Sequence, residues 1–310
     1  MVKSNKRLAT LVGCNYFNTR NELYGCINDV LAIREVLINR FGFHPNNIQL
    51  LTDEADSPVK PTGANIKKVL TQMIDQAEEG DVLYFHYSGH GTRVPRPGNS
   101  SQQDEAIVPC DFNLITDLDF RKLVNQLPNG VSFTILSDSC HSGGLIDKEK
   151  EQIGPISAKK TSSSSKAQNS KAIPSESILQ HLASITGIES SDIGSHLFEA
   201  FGNEASIKFH PSQQHLSAGS VRPDAGILLS GCQANETSAD MSPNEEGGKA
   251  YGAFSDAVEK VLKGHKSPLS NREVVTQARK LLQEGGYEQH PCLYCSDENA
   301  DAPFLCQPKH

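Results

Sequence analysis

Two stretches decide the fold: Tyr84-Phe-His-Tyr-Ser-Gly-His-Gly-Thr92 and Ile135-Leu-Ser-Asp-Ser-Cys-His-Ser-Gly-Gly144. Each is an apolar, β-rich run that stops at a reactive side chain followed by glycine or a glycine-rich turn. The first stops at His90 and the second at Cys140. Open α/β sheets carry their function at the carboxyl ends of strands. Two such strands predict a thiol nucleophile and its base, facing each other across the carboxyl edge of one sheet.

Working outward, apolar strand patterns at 7–13, 48–51, 81–87, 105–108, 131–137, 226–232 and 291–295 alternate with helical patterns. The helices fall at 25–41, 62–77, 117–127, 176–186, 193–201, 252–263 and 270–284. Gly42 is placed to end the first helix and Thr62 to cap the second. Strands alternating with helices predict an α/β fold, a mostly parallel sheet of six or more strands with helices on both faces. Between 156 and 222 the composition turns polar, with the run Lys159-Lys-Thr-Ser-Ser-Ser-Ser-Lys-Ala-Gln-Asn-Ser-Lys171. With few apolar anchors, this stretch is expected to be a flexible linker carrying short helices.

The chain has 310 residues and a net charge of −8, so it offers no basic footprint for nucleic acid. No apolar run approaches the length of a membrane span, and the start lacks a signal-peptide core. A cytoplasmic protein with reduced thiols is expected, and most of its eight cysteines should be small buried hydrophobes. Cys292 and Cys295 lack the second pair that a structural zinc site needs. No Gly-x-Gly-x-x-Gly follows the first strand, which argues against a nucleotide-binding module.

Cys140 must react as a thiolate, and His90 can serve as base and then protonate the leaving amine. Gly91, Gly143 and Gly144 let a substrate backbone approach closely. The N–H groups of Gly91 and Cys140 are the expected oxyanion donors. A lone cysteine or histidine is most often structural, and it is the pairing at two strand ends that argues for chemistry. His86 alternates within its strand and is read as a core hydrogen-bonding residue. His141 adjoins Cys140 and should point elsewhere.

The Ser-Gly-His-Gly and Asp-Ser-Cys-His-Ser-Gly-Gly blocks resemble those of the metacaspases, cysteine peptidases of caspase-like fold. So do Val12-Gly-Cys-Asn-Tyr16, Gly25-Cys-Ile-Asn-Asp-Val30, Asp104-Glu-Ala-Ile-Val-Pro-Cys-Asp111 and Ser230-Gly-Cys-Gln-Ala-Asn-Glu-Thr-Ser-Ala-Asp240. The absence of a prodomain and the short insertion between the Cys140 and Ser230 blocks resemble the compact metacaspase-9 branch of the plant type II subgroup. The resemblance implies a large catalytic region (1–155), a linker with a self-cleavage site (156–222) and a small region (223–310). It also implies an endopeptidase made as a zymogen, cutting protein or peptide substrates after Arg or Lys, acting as a monomer and linked to cell death or stress. Nuclear or apoplastic sites are known among relatives, so the compartment stays open. A catalytically silent scaffold on the same fold is the alternative.

The family's basic pocket maps onto Asp29, Asp138 and Cys26, with Asp240 as a further candidate. Two carboxylates in a narrow cleft suit a guanidinium or ammonium. Structural roles compete: Asp29 could complement a helix dipole and Asp138 could cap a turn. Lys171 is the expected self-cleavage point, with Lys166 second. Calcium, which many relatives need, would fall to Asp104, Glu105, Asp117, Asp119 and Asp147. Leu118 interrupts the consecutive aspartates of calcium-dependent members. No cofactor is therefore expected to be required, and acid pH is the alternative trigger.

Overall fold

Strand β1 (Arg7–Gly13) lies between β2 (Ile48–Thr52) and β3 (Val82–Ser88), parallel to both. The computed structural model describes residues 5–96, 99–141, 145–146, 150–154, 168–210, 226–233, 236–242 and 248–306. Gly143, Gly144, Asp147, Lys159, Lys160 and Lys166 lie outside the described residues. Beyond β3 runs a hairpin of β4 (Gly91–Arg96) and β5 (Asn99–Ile107), with β6 (Ile115–Thr116) on its far edge. Strand β7 (Ser132–Asp138) returns to the main sheet beside β3. The short strands β8 (Glu151–Ile153) and β9 (Gln168–Ser170) precede β10 (Ile227–Ser230), β11 (Ala239–Met241), β12 (Tyr251–Gly252) and β13 (Cys292–Tyr294). The main sheet has seven strands in the order β2-β1-β3-β7-β10-β13-β8. It is parallel from β2 through β10, while β13 runs antiparallel to both of its neighbours.

Alternation along the strands fills two cores, one on each face. Leu8, Val12, Leu83, Phe85, Phe133 and Ile135 face the helices α2 (Gly63–Asp75) and α3 (Asp117–Val124). Ala9, Leu11, Tyr84, Leu136 and Leu229 face α1 (Cys26–Phe41), α6 (Ala253–Gly264) and α7 (Asn271–Glu284). Gly42 closes α1 in the left-handed conformation at φ 68°. Thr62 caps α2 by accepting the Asn65 N–H at 3.2 Å. Ser270 and Glu273 form a capping box at the start of α7. Ser270→Ala should lower stability by about 1 kcal/mol, read as a lower urea midpoint with unchanged slope.

Two expectations are corrected. The strand at 105–108 is the end of β5, and it belongs to the antiparallel side sheet. Its partner β4 contains Gly91 and Pro95, which hide it from a strand pattern. The stretch 156–222 is built into the fold over 168–210. Ile173, Ile178, Leu182, Ile193 and Leu197 are the apolar anchors that its average composition concealed, and all pack into the α2–α3 core. They lie at the start of the segment and in α4 (Ser175–Thr186) and α5 (Ile193–Phe201).

Candidate active site

β3 and β7 lie side by side with Ser88 opposite Asp138, so their continuations bring His90 and Cys140 to one sheet edge. His90 is fixed from three directions. Its backbone N–H donates to the Tyr16 hydroxyl at 2.9 Å, and its carbonyl accepts from Val108 N–H at 3.0 Å. The Tyr16 ring lies 4.7 Å from the imidazole, centroid to centroid. Nε2 donates to the Asn21 carbonyl at 2.7 Å, because a carbonyl can only accept. Nδ1 is therefore the basic nitrogen, and it makes no hydrogen bond among the described residues. Burial pushes the imidazole down to about 4, against the pull of the Asn21 and Lys171 carbonyls. At neutral pH the ring is uncharged and able to accept a proton.

Cys140 is fully buried. Burial alone would raise its pKa. The Cys232 thiol, the Ser238 N–H at 3.0 Å, the Ser170 side chain and the Lys171 charge outweigh burial and hold it below the usual thiol value. Gly91 sits against the Cys140 peptide. A Cβ there would stand 1.7 Å from the Cys140 carbonyl oxygen, so only glycine permits this approach.

The pocket residues converge, and Lys171 fills the space between them. Its ammonium lies 3.2 Å from Asp138 and 3.5 Å from Asp29, and donates to Ser88 Oγ at 2.9 Å. Asp29 accepts the Ser88 hydroxyl at 2.7 Å and the Gly252 N–H at 2.8 Å. Asp138 accepts the Ser255 N–H at 2.9 Å. Two carboxylates thus share one ammonium inside the protein. Burial pushes Asp29 up to about 8, against the lowering influence of Lys171. Burial alone would strip the proton from Lys171, but Asp138 and Asp29 hold its pKa well above the ordinary value. Cys26 lies against the same ammonium, its own thiol pushed well up by burial.

Asp240 acts on the pocket from one step back, its charge adding to those that hold the Lys171 ammonium. Both its oxygens accept backbone N–H groups, from Tyr24 and Gly25, each at 2.8 Å. It lies beyond ion-pair distance of Lys171 and fixes the loop that leads into Cys26 and Asp29.

Lys171, placed by the sequence in a flexible linker, is instead among the largest fully buried side chains. Its segment enters the cleft as a strand. β9 pairs antiparallel with β11, matching Ser170 to Ala239 and Asn169 to Asp240. Lys171 N–H donates to the Ser238 carbonyl at 3.0 Å, and Ile173 N–H to the Gly91 carbonyl at 3.0 Å. The Lys171 carbonyl accepts the Gly91 N–H at 2.9 Å. Main-chain pairing thus holds the segment on both sides, as in β-strand addition, while its lysine side chain fills the pocket.

Sequence reasoning missed Tyr16, Asn21, Ser88, Cys232 and Ser238. Tyr16 and Ser88 sit inside quoted motif blocks, and Ser88 shares the strand face of His86 by simple alternation. Asn21 acts through its backbone, so its side chain gave no signal. His86 packs in the core as expected and meets Ser255 Oγ at 3.1 Å. His141 takes the left-handed conformation at φ 55°.

The carboxylates suggested for calcium are spent elsewhere. Asp104 pairs with Lys208, and Asp117 lies 3.7 Å from Arg121. Asp119 caps α3 and accepts the Ile207 N–H, while Glu105 stands opposite Arg93 on the hairpin. Among the described residues, no group of three or more His, Cys, Asp or Glu side chains could hold a metal ion. Asp104, Glu105, Asp117 and Asp119 do not converge on one site, and Asp147 lies outside the described residues. No described helix is long and apolar enough to cross a membrane.

Comparison with known proteins agrees with the geometry. Residues 6–302 match the caspase domain family. The chain is 57% identical to Metacaspase-9 of Arabidopsis thaliana, over 99% of this chain and 98% of that one. It is 38% identical to Metacaspase-6 of the same plant, over 96% and 99%. A Geobacter sulfurreducens crystal structure superposes at a TM-score of 0.66 and 19% identity, covering 98% of this chain and all of that one. Caspase-1 of Spodoptera frugiperda superposes at 0.50 and 11% identity, covering 94% and 86%, and so shares the fold. Full-length matches of this kind show that the chain belongs to the metacaspases, cysteine peptidases built on the caspase fold.

Proposed function

We propose that this peptidase cleaves after Lys or Arg, and that its first substrate is its own chain at Lys171. One observation carries the reading: Lys171 fills a buried pocket between Asp29 and Asp138 while Gly91 N–H holds its carbonyl. The uncut chain is then a zymogen with its cleft occupied by the bond it will break. Cys140 attacks the Lys171 carbonyl as thiolate, and His90 Nδ1 takes the thiol proton and returns it to the departing Ala172 nitrogen. Negative charge builds on the carbonyl oxygen, where Gly91 N–H already points, with the Cys140 N–H as second donor. A water then releases the acyl group. Calcium has no step in this scheme, and proteolysis linked to cell death or stress is the physiological setting the family suggests.

Intact-mass measurement tests the reading. Wild type should yield fragments ending at Lys171, Lys171→Arg should do the same, and Lys171→Gln should not. An uncut wild type under every activating condition, or cutting of Lys171→Gln at the same bond, would overturn it. Gly91→Ala is expected to cost at least about a hundredfold in peptide turnover, since it displaces an oxyanion donor and clashes with Cys140.

The pH dependence has a defined sign. An imidazole pushed down to about 4 stays neutral well below the 6.5 of free histidine. Self-cleavage should therefore persist through the mildly acid range and fall only as His90 protonates near 4. Initial rates of self-cleavage against pH check this, and a half-maximal rate near 6.5 would contradict a buried neutral base.

A further inference from the structure

We propose that Cys232 is a resolving thiol, and that a Cys140–Cys232 disulfide is the reversible oxidised state of the site. The inference rests on reading Cys140 as the nucleophile. β7 and β10 are neighbouring parallel strands with Ser137 opposite Ser230, and Gly231 N–H donates to the Ser137 carbonyl at 2.8 Å. Both chains then turn at the same edge, so Cys140, three residues on, and Cys232, two residues on, meet there. The two thiols lie near enough to act on one another's pKa, and both cysteines are free and buried. The other neighbours of Cys232 Sγ are the carbonyls of Ser139 at 3.8 Å and Glu236 at 3.5 Å. In the proposed peptidase cycle Cys232 forms no bond to substrate; it acts only on the Cys140 thiol.

The chemistry needs a peroxide as oxidant. Cys140 sulfur attacks one peroxide oxygen: the O–O bond breaks, an S–O bond forms, and the thiol proton leaves with the other oxygen as water. Cys232 sulfur then attacks the sulfenic sulfur. The S–S bond forms, the S–O bond breaks, and the Cys232 proton departs with the hydroxide as a second water. Without a nearby thiol, a sulfenic nucleophile goes on to the irreversible sulfinic acid. With one in contact, it stops at a disulfide that thiols can reduce. Cys140 has no exposed surface in the uncut chain, where the segment following β9 is held by Gly91 and Ser238 at the same edge. Oxidation should therefore be faster once the cleft has been vacated.

The test is hydrogen peroxide added to the full chain before and after self-processing, followed by peptide mapping without reductant. The expected result is a peptide pair linked through Cys140 and Cys232, forming faster in the processed protein, with peptidase activity lost and then restored by dithiothreitol. In Cys232→Ser, Cys140 should instead reach the sulfinic acid and its lost activity should not return. Wild-type Cys140 found as sulfinic acid beside a free Cys232, or joined to another cysteine, would overturn the inference. Mapping reads the bond whether or not a substrate is turned over. Failure to cleave Lys- or Arg-terminated peptides before peroxide would count only against the peptidase reading.

Discussion

Cys140→Ala is expected to lower turnover of a Lys- or Arg-terminated peptide by on the order of ten-thousand-fold, and to leave the chain uncut after Lys171. The change removes the atom that the site is built around. Ser238 N–H and the Cys232 thiol aim at Cys140 Sγ, and the basic nitrogen of His90 is left unpaired in the same cleft. Each of those groups would stay in place, so the loss is chemical and not a failure to fold. An unchanged far-ultraviolet spectrum and thermal midpoint would establish that. Residual activity within tenfold of wild type would mean that another residue performs the attack.

Asp138→Ala should reduce kcat/KM for basic substrates by roughly two to three orders of magnitude. Removing one partner of a buried ion pair leaves the other charge unpaired, which costs about 3–5 kcal/mol, and each 1.4 kcal/mol is about tenfold. Asp29→Ala should act in the same direction. Its distance from the ammonium is slightly longer, 3.5 against 3.2 Å, but its loss also strands Ser88 and the Gly252 N–H. The readout is a matched peptide pair ending in Arg and in a neutral residue. A fall confined to Arg supports the pocket, and an equal fall in both would make the carboxylates structural. Stability adds a contrast. The uncut protein should be destabilised by either change, because Lys171 is buried against both carboxylates. Processed protein with an empty pocket should be destabilised less, because two like charges in one cleft repel each other.

The dyad and the carboxylates were legible because their signals are local. His90 and Cys140 end apolar strands, and parallel pairing carries strand ends to one edge. Asp29 lies on the first turn of a helix that begins at that edge. What escaped was set by long-range pairing. β4 contains Gly91 and Pro95, so its strand character comes from its partner β5 and not from its own residues. Lys171 follows a run of serines that reads as linker, yet the main chain around it is held by Gly91 and Ser238, and neither bond leaves a trace in side-chain pattern. Asp240 was named for the pocket by its motif, and its hold on the Tyr24–Gly25 backbone leaves no mark in the sequence. Cys232 resembled an ordinary buried thiol until β10 was seen to pair with β7.

The seating of β9 has a consequence for which proteins can be cut. If substrates bind as the Lys171 segment does, a peptide must take the place of a strand, hydrogen-bonded to β11 on one side and to Gly91 on the other. A lysine within a helix cannot do that without unwinding, and one in the middle of a folded sheet must first leave its neighbours. Hinges, tails and long surface loops supply extended backbone at little conformational cost. On the proposed reading, cutting of native proteins should yield a few defined nicks and leave their compact domains whole.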